Sequence, residues 1–102
     1  MSSKKMTGGE AVVETLLVNE VEVVTGLIGS STLEILDGLY NNDEKIRSIG
    51  CRHESNGMIM MDAYARYTGK NGVFLTGQAG PGVSNTVTAM AQAKAAFSPV
   101  VN

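Results

Sequence analysis

Three segments of this chain break from β-branched or apolar residues into glycines and small polar residues just before a helical pattern: Gly26–Ser31, Gly50–Asn56 and Gly77–Asn85. The middle one reads Cys51-Arg52-His53-Glu54-Ser55-Asn56, and Glu54 in it heads an apolar stretch. A carboxylate there has two readings. It is an ordinary helix-start acid favoured by the macrodipole, or it is a partly buried acid able to share a proton with a ligand. The third segment, Gly77-Gln78-Ala79-Gly80-Pro81-Gly82, is neither a dinucleotide fingerprint nor a Walker loop. Its glycines permit positive φ and close approach of a ligand, and Pro81 stiffens the turn. The same residues also serve as a plain strand-to-helix connection. His53 reads as a packed or surface histidine, Cys51 as a small buried apolar residue, and Met58, Met60 and Met61 as core. Gly69-Lys70 is not a phosphate loop, because the upstream glycine and the following Ser or Thr are missing.

These segments are placed by an alternation of element types. Thr7-Gly8-Gly9-Glu10 has the form of a capping box, followed by Val12, Val13, Leu16 and Leu17 at helical spacing and by Asn19 as a stop. Val21, Val23, Val24 and Thr25 predict a short buried strand. Ser31-Thr32-Leu33-Glu34 is a second capping-box pattern, opening a helix with Leu33, Leu36 and Leu39 toward the core. Asn41-Asn42-Asp43 is a loop, and Ile46 and Ile49 mark a second strand ending near Gly50. Glu54 to Tyr67, apolar on most sides, predicts a largely buried helix capped by Gly69. Gly72 to Thr76 is a third strand, Val83 to Ala96 a single Ala-rich helix, and Ser98 to Asn102 the start of a fourth strand.

This order predicts a three-layer α/β/α domain with a mostly parallel sheet. In such sheets ligands bind at the carboxyl ends of the strands, so the three segments converge on one edge. Residues 1–6 are expected to be a solvated tail carrying Lys4 and Lys5, and residues 7–102 one partial domain, whose final strand would need more structure to cover Val100 and Val101.

Composition narrows the class of partner. A net charge of −2 without a basic patch excludes a nucleic-acid face. No apolar run approaches the roughly 18–20 residues of a membrane span, and the first ten residues lack the apolar core of a secretory signal. The single cysteine forms no internal disulfide, and no Cys/His cluster suggests zinc. The cytoplasm is the expected compartment.

Taken together, Gly26-Leu27-Ile28-Gly29, Arg52-His53-Glu54, Ala63-Tyr64-Ala65-Arg66-Tyr67-Thr68-Gly69-Lys70 and Gly80-Pro81-Gly82-Val83-Ser84-Asn85 resemble the N-terminal pyrimidine-binding domain of thiamine diphosphate enzymes. The acetolactate synthase and sulfoacetaldehyde acetyltransferase branch is the most similar, and the resemblance runs from about Met6 to Asn102. It implies that the acid matching Glu54 is catalytic: it hydrogen-bonds N1′ of the aminopyrimidine, favours the imino tautomer and so leads to the ylid that attacks a 2-oxo acid or aldehyde. It implies that Gly26, Ile28, Gly29, Ser30, Gly80, Pro81 and Gly82 line the cofactor pocket, and that Asn85 completes it or fixes the loop's shape. Ile28 stands where proline is common in the family, and with Gln78 and Cys51 it leans toward the sulfoacetaldehyde acetyltransferase branch. The presence of Glu54 argues against the glyoxylate carboligase branch.

The resemblance places the diphosphate and Mg2+ site in a separate domain with a Gly-Asp-Gly motif. Asp37-Gly38 is preceded by Leu36 and does not match it. The resemblance thus implies thiamine diphosphate as the cofactor, with its Mg2+ bound by a domain absent from this chain, and no metal ligand is expected among these residues. The implied partner is a second copy or a complementary subunit carrying the diphosphate-binding domain, with no membrane or nucleic acid. On this reading the domain is truncated relative to the family's, and the chain alone is inactive. The alternative is a non-catalytic truncated or split subunit acting as a binding or assembly module.

Overall fold

The computed structural model describes residues 5–102, so Lys4 of the expected tail lies outside the described residues; Lys5 and Met6 are exposed and belong to no element. The elements run α1 (Gly8–Val18), β1 (Val23–Gly26), α2 (Leu33–Tyr40), β2 (Arg47–Gly50), α3 (Glu54–Thr68), β3 (Gly72–Leu75), α4 (Pro81–Ser84), α5 (Val87–Ala95) and β4 (Val100–Val101). The strands form one parallel sheet in the order β2-β1-β3-β4.

Period-2 alternation along the strands divides the core between the two faces. Val24 and Val73 point to the α1/α2 side, where they pack with Val13, Val21, Leu39 and Ile46. On the other face, Phe74 packs with Met58, Met61 and Ala89, backed by Cys51 and Tyr64. Thr25 shares that second face: its buried hydroxyl donates to the Gly57 carbonyl at 2.9 Å and ties β1 to α3. Gly57 permits this approach, since a Cβ there would lie 2.5 Å from the Phe74 ring and 2.7 Å from Cys51 Sγ. The result is the expected three-layer architecture.

Local chemistry sets most boundaries. Thr7 and Glu10 form the capping box at α1, with bonds of 3.2 and 2.7 Å. Gly69 ends α3 in the left-handed conformation at φ 72°. Besides Leu33, expected to face the core but 57% exposed at the start of α2, three expectations differ from the structure. The second capping box does not form: a 3-10 turn over Ser30–Thr32 leads into α2, and the Thr32 hydroxyl turns back to the Gly29 carbonyl at 3.2 Å instead of capping. The helix expected over 83–96 is divided into α4 and α5, and α4 begins earlier, at Pro81. Proline is preorganised for a first helical position, which explains the early start.

The third difference concerns α3, which is buried on one side only. Met58, Met61 and Ala65 face the core at helical spacing, while Ile59 and Met60 are 43% and 42% exposed. Asp62 is also buried on this helix, held by Arg66 at 2.8 Å. Among the described residues no helix is long and apolar enough to cross a membrane.

Candidate functional site

The carboxyl ends of β1, β2 and β3 meet at one edge, and short contacts join the loops that follow them. The Gly26 carbonyl accepts from the Cys51 backbone N–H at 2.9 Å and from its thiol at 3.3 Å, joining the first loop to the second. Leu27 N–H donates to the Leu75 carbonyl at 3.2 Å. Farther out, Gly29 lies directly against Gly77, and a Cβ on Gly29 would overlap the Gly77 carbonyl. The Ser30 hydroxyl donates to Gln78 Oε1 at 3.0 Å, and Ala79 N–H reaches Ser31 Oγ at 3.4 Å. The first and third loops are thus stitched together by backbone contact and side-chain bonds.

Glu54 is the first residue of α3 and is only 6% exposed. His53 precedes it as the N-cap, with Nδ1 accepting from the Ser55 N–H at 3.2 Å. A capping role accounts for His53, which the sequence left as a packed or surface residue. The Glu54 side chain meets the third loop. Asn85 Nδ2 donates to Glu54 Oε2 at 3.0 Å, and the Ser55 hydroxyl donates to the Asn85 carbonyl. The other oxygen, Oε1, lies beside Gly82, 3.3 Å from where a Cβ would stand. That Cβ would also meet Thr76 Cγ2 at 2.9 Å, so a glycine is what fits between Thr76 and this oxygen.

These surroundings hold the Glu54 carboxyl below its ordinary range. The Asn85 amide contributes most, the backbone N–H of Glu54 itself next, and His53 adds a smaller pull in the same direction against the opposing effect of desolvation. Burial pushes the neighbouring Cys51 thiol up, away from thiolate character.

The structure therefore brings Glu54, Gly82 and Asn85 into direct proximity. Gly26, Gly29 and Ser30 connect to them through Cys51, Gly77 and Gln78. Gly80 and Pro81 sit exposed at the start of α4, with Gly80 at φ 85°. Ile28 projects from the edge, 81% exposed. Ser55 was missed by sequence reasoning; a hydroxyl one residue after the acid was the available signal, but its partner, the Asn85 carbonyl, is 30 residues away. Among the described residues no three His, Cys, Asp or Glu side chains are grouped to hold a metal ion. A cavity of about 600 Å³ opens at the opposite edge of the sheet, between Glu20, Glu22, Lys45, Tyr64 and Lys70, and shares no residue with this cluster.

A parallel α/β/α domain with a nearly buried carboxylate among glycine-bearing loops at the carboxyl ends of its strands has the form in which such sheets bind small molecules or cofactors. More narrowly, residues 6–102 match the model of the thiamine pyrophosphate enzyme N-terminal TPP-binding domain, and the chain belongs to that family. It is 44% identical over 97 residues to the sulfoacetaldehyde acetyltransferase of Alcaligenes xylosoxydans xylosoxydans, a match covering 95% of this chain and 16% of that protein. It is 41% identical to a probable 2-ketoarginine decarboxylase of Pseudomonas aeruginosa, covering 96% of this chain and 17% of that protein. It is 37% identical to an acetolactate synthase of Mycobacterium avium, covering 96% of this chain and 16% of that protein. The chain thus spans about a sixth of the length of these relatives.

Proposed function

We propose that residues 7–102 supply the aminopyrimidine half of a thiamine diphosphate site, with Glu54 as the catalytic acid. The observation that carries this reading is the Glu54 carboxylate itself: nearly buried, anchored at Oε2 by Asn85, and with Oε1 against Gly82, where a side chain would crowd it. Thiamine diphosphate, when bound, supplies a nucleophilic ring carbon that adds to carbonyl groups. Glu54 holds and shares a proton at a ring nitrogen of the aminopyrimidine. Gly26, Ile28, Gly29 and Ser30 on one loop, and Gly80, Pro81 and Gly82 on the other, line the ring. Low local polarity strengthens the resulting hydrogen bond.

The diphosphate and Mg2+ are held by another domain, contributed by a second copy or a complementary subunit. The whole protein is a cytoplasmic carboligase or acyltransferase of the acetolactate synthase type, acting on a small 2-oxo acid or aldehyde. The 44% identity to a sulfoacetaldehyde acetyltransferase supports that branch.

Glu54→Gln tests the assignment in the full protein supplied with thiamine diphosphate and Mg2+. We expect kcat to fall about 100-fold or more, the scale of a lost general acid–base, with KM changed only a few-fold. Near-native turnover in that variant overturns the reading.

A further inference from the structure

Asn85 closes α4, with its backbone N–H donating to the Pro81 carbonyl at 3.0 Å. Both of its other polar groups that meet α3 are engaged with the first turn of that helix: the carbonyl accepts from Ser55, and Nδ2 donates to Glu54. The two carboxylate oxygens of Glu54 therefore have different neighbours. Oε2 accepts from Asn85 at 3.0 Å, whereas Oε1 lies against Gly82.

Resting on the reading of Glu54 as the pyrimidine-activating acid, we propose that Asn85 is a positioning residue that acts through Glu54, holding Oε2 so that Oε1 is the oxygen presented to the cofactor's ring nitrogen. Its amide is spent on the protein, not on the ligand. A carboxylate with one oxygen pinned cannot swing about its terminal torsion, so Oε1 is aimed before the cofactor arrives. Such preorganisation reduces the ordering that binding would otherwise require.

The same bond favours the ionised form of Glu54. The other ionisable groups beside it are Cys51, Arg52 and His53 on the second loop, since the segments 26–32 and 77–86 carry no ionisable side chain. Asn85 is therefore the neutral residue whose removal changes the acid without changing any charge.

The test is a double-mutant cycle in the full protein, reading thiamine diphosphate affinity by calorimetry in the presence of Mg2+ across a pH series. Asn85→Ala should weaken binding about three- to tenfold at neutral pH, the scale of ordering one side chain that is no longer held in place beforehand. It should also move the acid limb of binding, and the Glu54 side-chain carboxyl titration followed by 13C NMR without cofactor, to higher pH. Asn85→Asp, nearly isosteric, should move both limbs further in the same direction and serves if the alanine variant fails to fold.

In a Glu54→Gln background, Asn85→Ala should have at most a two-fold effect. An undiminished penalty in that background, or a Glu54 titration that does not move, overturns the proposal. Native affinity and turnover in Glu54→Gln alone would instead overturn the underlying reading of Glu54, whatever Asn85 does.

Discussion

The two oxygens of Glu54 have different neighbours, and Gly82 decides what one of them can meet. Gly82→Ala would place a Cβ 2.9 Å from Thr76 Cγ2 and 3.3 Å from Oε1, so the carboxylate or the loop must give way. We expect thiamine diphosphate affinity to fall roughly tenfold or more, with a modest loss of stability of about 1–3 kcal/mol from overpacking. Calorimetric titration beside chemical denaturation separates the two effects. The Asn85 contact also makes a stability prediction with a defined sign. Because the folded-state titration of Glu54 is lowered, its contribution is present above the ordinary value of 4.5 and lost as pH falls through the lower folded value. The difference in unfolding midpoint between the native protein and Asn85→Ala should therefore be present at neutral pH and shrink in acid. A difference independent of pH would show that the bond is not linked to ionisation.

At the scale of elements, the site depends on the loop after β1 meeting the loop after β3 with almost no space between them. Gly29 against Gly77 is the tightest point, and it is backbone against backbone, so no side chain can rotate away to make room. Gly29→Ala should force the loops apart, costing about 1–3 kcal/mol of stability and weakening cofactor binding together. Urea denaturation and thiamine diphosphate titration check this; native values for both would mean that the loops have slack. On the opposite side of the site, α3 is anchored by the Thr25 hydroxyl and by Phe74 under Gly57. The helix start that carries Glu54 is set locally by its His53 cap, and its place over the sheet is fixed by these contacts.

At the scale of the whole molecule, the sheet edge that carries Glu54 is not a closed cleft. Ile28, Val83 and Val87 are 81%, 47% and 58% exposed on and beside the loops that flank Glu54. If the cofactor is shared between this domain and a diphosphate-binding domain on another chain, binding and assembly are linked. Ultracentrifugation at dilute protein should then show a larger associated fraction with saturating thiamine diphosphate and Mg2+ than without. An association state indifferent to cofactor would count against a site built across chains.

Much of this fold was legible locally. The capping box at Thr7, the Gly69 cap, the β-branched run Val23–Thr25 and the apolar run Val73–Leu75 are decided by residues within a few positions of one another. Reasoning from the same local patterns erred where tertiary partners intervened. Thr32 turned to the Gly29 carbonyl instead of capping, and the apolar residues of α3 were divided between core and surface by the position of the sheet. His53 as a helix cap was a local feature, but imidazole is not among the usual capping side chains. The sequence by itself determined the alternation of helices and strands, the three glycine-bearing turns and the acid that heads α3, because backbone preference and hydrophobic period act over short distances. Only the tertiary structure decided the strand order β2-β1-β3-β4, the contact of Gly29 with Gly77, and the Asn85 bond that singles out Oε1 of Glu54. Those depend on partners 24 to 49 residues apart, whose meeting is set by the packing of the whole sheet.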